Sequence, residues 1–263
     1  FLARAIADAI ADARNNAAPA WITWGTGACT LARNRDFWDD AAQSYACGFN
    51  PNGKQDETLL IGRVTGNDGD LRAVIFNYAC HPTTLAWDND LFSPDYIGAA
   101  REVISGIYGA PALFLQGASG ELGPRESYVG DTAIADRNGR QLGYAVASTM
   151  ESLPPAGTTF IYEGLRKSGA DLGIWSDHPL PIEAIEAASV LAAQKITVSV
   201  GLADMPTIAE LQDQLAACED RVIQERLRRF IGKRRAVGDG DTFDFPLWFW
   251  RMGDAIAVAV PGE

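Results

Sequence analysis

The segment from Leu59 to Cys80 constrains the fold most strongly, because it reads as a β-hairpin whose second strand runs straight into a histidine. Leu59 to Thr65 and Leu71 to Cys80 are rich in β-branched and aromatic residues, and Asn67-Asp68-Gly69-Asp70 between them is a turn sequence. After Arg72 the second strand is almost continuously apolar, as expected of a central strand with both faces covered. Pro82 cannot continue the ladder, so the strand is expected to end at His81. In open α/β sheets ligands sit at the ends of central strands, and an imidazole delivered there suits metal binding or proton transfer. The residue pattern alone leaves open a core histidine satisfied by backbone.

The flanking sequence predicts the covering elements. Leu2, Ile6 and Ile10 follow helical spacing up to Asn15-Asn16, and Trp21 to Trp24 alternates like a short strand. Residues 28–53 read as irregular structure over a core. Tyr96 to Ile107 is a helix, Ala112 to Leu115 a strand feeding a Gly-rich loop, and a further helix carries Leu142, Val146 and Leu153 before Pro154-Pro155 stops it. Strands near Thr159–Leu165 and Lys195–Leu202, a small helix near Ile182–Ala193, one long helix from Ile208 to Phe230 and a final hairpin from Phe243 to Val260 complete the chain. Hairpins mixed with strand-loop-helix units imply an α/β protein with a mixed β-sheet covered by α-helices, in an αββα layering if two sheets stack. The 263 residues are expected to form a single domain, incomplete at both ends because Phe1 opens inside a helical pattern and Glu263 closes it directly after a strand.

Charge and hydropathy narrow the function classes. A net charge of -12 opposes binding to nucleic acid or anionic lipid. The basic run Arg226 to Arg235 reads as a solvated helix face. No stretch approaches the ~20 apolar residues of a membrane span, so the chain is expected to be soluble, whether cytoplasmic or exported. Cys29, Cys47, Cys80 and Cys218 lack zinc-finger spacing and read as small buried hydrophobes.

The loop Gln116-Gly117-Ala118-Ser119-Gly120-Glu121-Leu122-Gly123-Pro124 is the second candidate feature. Its glycines let backbone approach a ligand closely, and its N–H groups could stabilise an oxyanion. Gly117 to Glu121 falls one residue short of a Gly-x-Ser-x-Gly elbow. With Asp177-His178 downstream, a serine hydrolase using Ser119 is an alternative, although Asp177 to Pro181 reads as an exposed loop.

Taken together, four blocks resemble the catalytic domain of the neutral, non-lysosomal ceramidase family. They are Asn77 to Leu85, Ser93 to Gly98, Gln116 to Pro124, and Val260-Pro261-Gly262-Glu263, in the family's order, with Asn34-Arg35 where the family has an Asn-Arg pair. The resemblance implies a zinc-dependent amidohydrolase of divergent bacterial type, with His81 and Glu263 as two metal ligands and Arg35 beside the developing oxyanion. It implies a pocket lined by Gln116, Gly117, Ser119, Gly120 and Gly123, and a small-molecule or lipid-like amide as substrate. Two departures accompany it. The family's upstream zinc histidine and its tyrosine ligand lie outside this chain, and Gly123 stands where the family has its active-site serine. Without that hydroxyl, direct attack by metal-activated water is favoured, with Glu121 or Asp95 shuttling the proton. Asp95 also has an ordinary helix-cap reading. The alternative from another class is an inactive binding or scaffold domain that keeps the fold.

Overall fold

The hairpin forms as read and sits in the middle of a four-stranded sheet. The computed structural model describes residues 2–261, in the order α1 (Leu2–Asn15), β1 (Ala20–Ala28), β2 (Ala32–Asn34), β3 (Asp36–Asp39), β4 (Ser44–Cys47), β5 (Thr58–Gly66), β6 (Leu71–Tyr78), α2 (Tyr96–Tyr108), β7 (Ala112–Gln116), β8 (Leu122–Pro124), α3 (Thr132–Glu151), β9 (Thr158–Lys167), β10 (Asp171–Pro179), α4 (Ile182–Ala188), β11 (Leu191–Gly201), α5 (Ile208–Ala217), α6 (Arg221–Val237), β12 (Thr242–Met252) and β13 (Ala255–Ala259). This is an α/β protein. Its residues pack into two compact units, 1–182 and 183–263.

In the first unit the sheet order is β1-β5-β6-β7, antiparallel except for the parallel pair β6-β7. Gly69 turns the β5-β6 hairpin at φ 88°, where a side chain would be strained, and Asp68 Oδ1 accepts the Asp70 amide across the turn. Leu59, Ile61, Val74, Phe76 and Tyr78 share one face and are fully buried with Tyr96, Ala100 and Ile104 of α2 and Leu142 and Val146 of α3. The opposite face is not covered as expected. Leu60, Leu113 and Leu115 are exposed there, so β6 alternates rather than being buried on both sides. β6 also ends at Tyr78 rather than His81, the Gly117 amide on the Tyr78 carbonyl being the last rung of its pairing with β7. In α1 none of the helical stripe Leu2, Ile6 and Ile10 is buried.

Two further expectations are corrected. Asp177 and His178 lie in β10, paired with β9, rather than in a loop. In the second unit the long helix is broken into α5 and α6, because Asp220 caps α6 by accepting the amides of Val222 and Ile223. The second unit's sheet is the antiparallel β11-β12-β13.

Buried hydroxyls and thiols tie the core to the loops above it. Tyr78 donates to the Cys29 carbonyl and accepts the Ala32 amide, each at 2.7 Å, while Tyr96 donates to the Cys80 carbonyl at 2.5 Å. Burial pushes both phenols above their ordinary 10.0 and the Cys80 thiol from 9.0 up to about 12. These groups ionise earlier in the unfolded chain than in the folded one. Their contribution to stability is therefore complete below pH 9 and lost as pH rises toward about 12. Urea midpoints are expected to hold between about pH 7 and pH 8.5 and to fall steadily above pH 9. A midpoint unchanged up to about pH 11 would contradict this placement of the buried phenols and thiol.

Candidate active site

The candidate site assembles at the carboxyl ends of the parallel strands β6 and β7, the edge at which such sheets bind ligands. His81 follows β6, and the Gln116 to Pro124 segment runs from the last residue of β7 through a loop and β8. His81 is 6% exposed. Its amide donates to the Leu122 carbonyl at 2.9 Å. Its Nδ1 lies 2.6 Å from the Ser119 carbonyl oxygen and 3.2 Å from that of Leu122. Carbonyl oxygens only accept, so Nδ1 carries a proton. Backbone carbonyls on the far nitrogen are how metal-binding imidazoles are commonly oriented.

The loop around it is held from several sides. Gln116 Nε2 donates to the Cys80 carbonyl at 3.1 Å and to Ser119 Oγ at 2.8 Å. Gly117 packs against Ala79 so closely that a Cβ would sit 2.9 Å from its backbone. Arg35 Nε donates to the Gly120 carbonyl at 3.0 Å, and the Arg35 amide to the Glu121 carbonyl at 2.8 Å. β8 pairs with β2, setting Gly123 opposite Arg33. Thus His81, Arg35, Gln116, Gly117, Ser119, Gly120 and Gly123 are brought together, with Glu121 exposed at the rim.

Asp95 is placed differently. It is 8% exposed, with Oδ2 accepting the Leu85 amide at 2.8 Å and Oδ1 the Tyr96 amide at 2.7 Å, which is its helix-cap reading. Glu263 lies outside the described residues. Among those described, no group of three or more His, Cys, Asp or Glu side chains is placed to hold a metal ion.

Ser119 and His178 do not meet as a catalytic pair would. Ser119 Oγ takes its hydrogen bond from Gln116, while His178 Nε2 faces Glu163 Oε1 at 2.9 Å and Ser176 Oγ at 3.0 Å across the β9-β10 hairpin. The Ser176 hydroxyl, and after it His178, holds the Glu163 carboxyl below its usual range.

Four site residues escape a reading of the sequence: Thr83, Ser127, Tyr128 and Cys47. Tyr128 adopts φ 62°, and its amide donates to the Thr83 carbonyl at 2.9 Å. Its phenol lies 3.1 Å from Cys47 Sγ. Burial, then the Cys47 contact, raises the phenol's pKa, and Arg35 opposes them. Tyr128 lies five positions beyond Gly123 in sequence, and no residue pattern announces its turn toward Thr83.

No family model matches the chain, and no curated protein matches it. Among solved structures it is similar to the crystal structure of neutral ceramidase from Pseudomonas aeruginosa, with a TM-score of 0.52 and 16% identity over 95% of this chain. A ceramidase complexed with C2 is also similar, with a TM-score of 0.49 and 16% identity over 91% of this chain. The likeness to the Pseudomonas enzyme is one of fold. This chain spans 41% of that enzyme's length.

Proposed function

We propose that the chain forms part of a metal-dependent hydrolase of the neutral ceramidase type, cleaving a small-molecule or lipid-like amide. The observation that best supports this reading is the orientation of His81, whose Nδ1 faces the Ser119 and Leu122 carbonyls as the far nitrogen of a metal-binding imidazole commonly does. His81 would hold zinc through Nε2, with Glu263 as the second ligand the resemblance implies. A zinc ion there supplies Lewis acidity and activates water near neutral pH.

The chain's own groups account for the rest of the chemistry. Arg35, fixed by its bond to the Gly120 carbonyl, offsets negative charge developing on the substrate oxygen. Glu121 takes the proton of the attacking water on its carboxylate and returns it to the leaving nitrogen. It is preferred to Asp95, both of whose oxygens already accept backbone amides. Gln116 and Ser119 keep the loop closed over His81, Gly117 lets the loop pack against Ala79, and Gly120 leaves open space for the substrate.

The test uses the full-length protein carrying this chain. Zinc is expected to raise its melting temperature, and hydrolysis of hexanoyl p-nitroanilide is expected to stop with a chelator and return with zinc. Neither stabilisation nor chelator-sensitive hydrolysis would overturn the reading in favour of a non-catalytic binding domain. Covalent labelling of Ser119 by a fluorophosphonate would instead support the serine-hydrolase alternative.

A further inference from the structure

A cavity of about 250 Å³ opens where β2, the chain after β8 and α3 come together, and three arginines line it: Arg33 of β2, Arg125 just past β8 and Arg137 of α3. Among the described residues Glu126 is the one carboxylate in its wall. Three arginines against one glutamate give the wall a formal charge of +2. That runs against the composition of the chain, which has 34 Asp and Glu to 22 Lys and Arg. Like charges brought together repel, and an anion between them relieves the repulsion.

The arginines are loosely engaged. Arg125 has only a ring as its neighbour, with Cζ 5.7 Å from the centre of Phe49. Arg33 Nη1 reaches Glu57 Oε1 at 3.4 Å, a long contact between two partly exposed side chains. Neither Phe49 nor Glu57 lines the cavity, and exposed side chains change rotamer within nanoseconds. Arg33 and Arg125 therefore turn to an entering anion by giving up weak contacts. Arg137 Nη2 pairs with Glu126 Oε2 within the wall itself, so its charge is already held at the cavity.

Two neutral hydrogen bonds set the cavity's shape. Asn138, 6% exposed, donates from Nδ2 to Thr84 Oγ1 at 3.2 Å, and Gln141 Nε2 donates to Thr30 Oγ1 at 3.1 Å. They tie α3 to the chain before β2 and to the chain after His81, and so organise the wall before a ligand arrives.

We propose that this cavity binds a small soluble phosphate monoester, held by Arg33, Arg125 and Arg137. Such a group is close to dianionic at neutral pH, matching the charge of the wall, and it offers three acceptor oxygens to the arginine forks. The cavity is several times the roughly 30 Å³ share of one water molecule, so a short polar group attached to the phosphate fits beside Asn138, Gln141 and Thr30. The same phosphate on a lipid is disfavoured, because a net charge of -12 repels an anionic bilayer. None of these residues belongs to the His81 site, so binding here stands or falls apart from hydrolysis.

The test titrates glycerol 3-phosphate calorimetrically into the full-length protein carrying this chain. The wild type is expected to bind it, and R125Q and R137Q each to weaken binding about ten-fold, the loss of one partly solvated charge-assisted hydrogen bond. E126Q should bind several-fold tighter, because it removes the carboxylate that competes for Arg137. R140Q is the control, since Arg140 is exposed on α3 but outside the wall, and its Kd should change less than about two-fold. All four substitutions replace exposed side chains, and melting temperatures without ligand verify that the variants fold. No binding by the wild type, or binding untouched by R125Q and R137Q, would overturn the site. A loss in R140Q equal to that in R125Q would also overturn it, reducing the effect to overall charge. Binding to phosphatidylcholine vesicles containing phosphatidic acid, without binding to glycerol 3-phosphate, would overturn the soluble ligand and assign the arginines to a lipid surface.

Discussion

Replacing His81 with Asn is expected to abolish zinc-dependent stabilisation and to lower amide hydrolysis on the order of 10³-fold while the protein still folds. The choice of Asn matters. His81 donates from Nδ1 to the Ser119 and Leu122 carbonyls inside a nearly closed site; these carbonyls keep the Leu122 and His81 amides in H81A, but the loss of the ring's bonds would still destabilise the loop by about 1 kcal/mol. An Asn amide can supply that donor but offers no imidazole nitrogen on the opposite side. If the two variants lose activity equally, while only H81A loses stability, the missing function belongs to Nε2 rather than to loop integrity. Activity within about ten-fold of wild type in H81N would remove His81 from the reaction. Metal content by mass spectrometry, melting temperature and kcat/KM supply the three readouts.

The location of this site was legible in the sequence because it depends on local rules. Pro82 forces the strand to stop nearby, and glycines after Leu115 forecast a loop at the matching end of β7. What the sequence could not reveal depends on pairings between distant segments. The last rung of β6, at Tyr78, is set by Gly117, 39 positions later, whose amide donates to the Tyr78 carbonyl. Thr83, Ser127 and Tyr128 join the site through one left-handed residue, which propensities do not forecast for a tyrosine. Apolar continuity in β6 suggested burial on both faces, yet continuity reports side-chain type and not whether a partner is present to cover it. Asp177-His178 looked like a loop because of the nearby prolines, but Pro179 closes β10 instead of excluding it. The long apolar helical pattern hid the Asp220 cap because its period continues across the break.

The largest stability effect is expected at Gly139, where G139A should destabilise the protein by about 3 kcal/mol although alanine is the better helix former. On α3, Gly139 and Gly143 are four residues apart and so share one face, and α2 packs directly onto that face. A Cβ on Gly139 would overlap the Tyr96 carbonyl and sit 2.6 Å from the Ala99 Cβ and 2.9 Å from the Ala100 amide nitrogen. Two of these three obstacles are helix backbone, which cannot swing aside as a flexible side chain would. The intrinsic gain of about 1 kcal/mol from replacing a helical glycine is therefore outweighed by moving one helix off another. Gly106 of α2 supplies the opposite control, since a Cβ there meets nothing within 4 Å, and G106A should stabilise by about 0.5–1 kcal/mol. The consequence reaches the site. α2 begins at Tyr96, whose hydroxyl holds the Cys80 carbonyl one residue before His81, and its cap Asp95 holds the Leu85 amide. A shift of α2 pulls on both ends of the segment that carries His81 and Thr83. G139A is accordingly expected to lower the urea midpoint and, at temperatures where it is still folded, to weaken zinc-dependent stabilisation as well. A G139A protein as stable as wild type would mean that α2 and α3 do not meet backbone to backbone, and the link from helix packing to the His81 loop would fall with it.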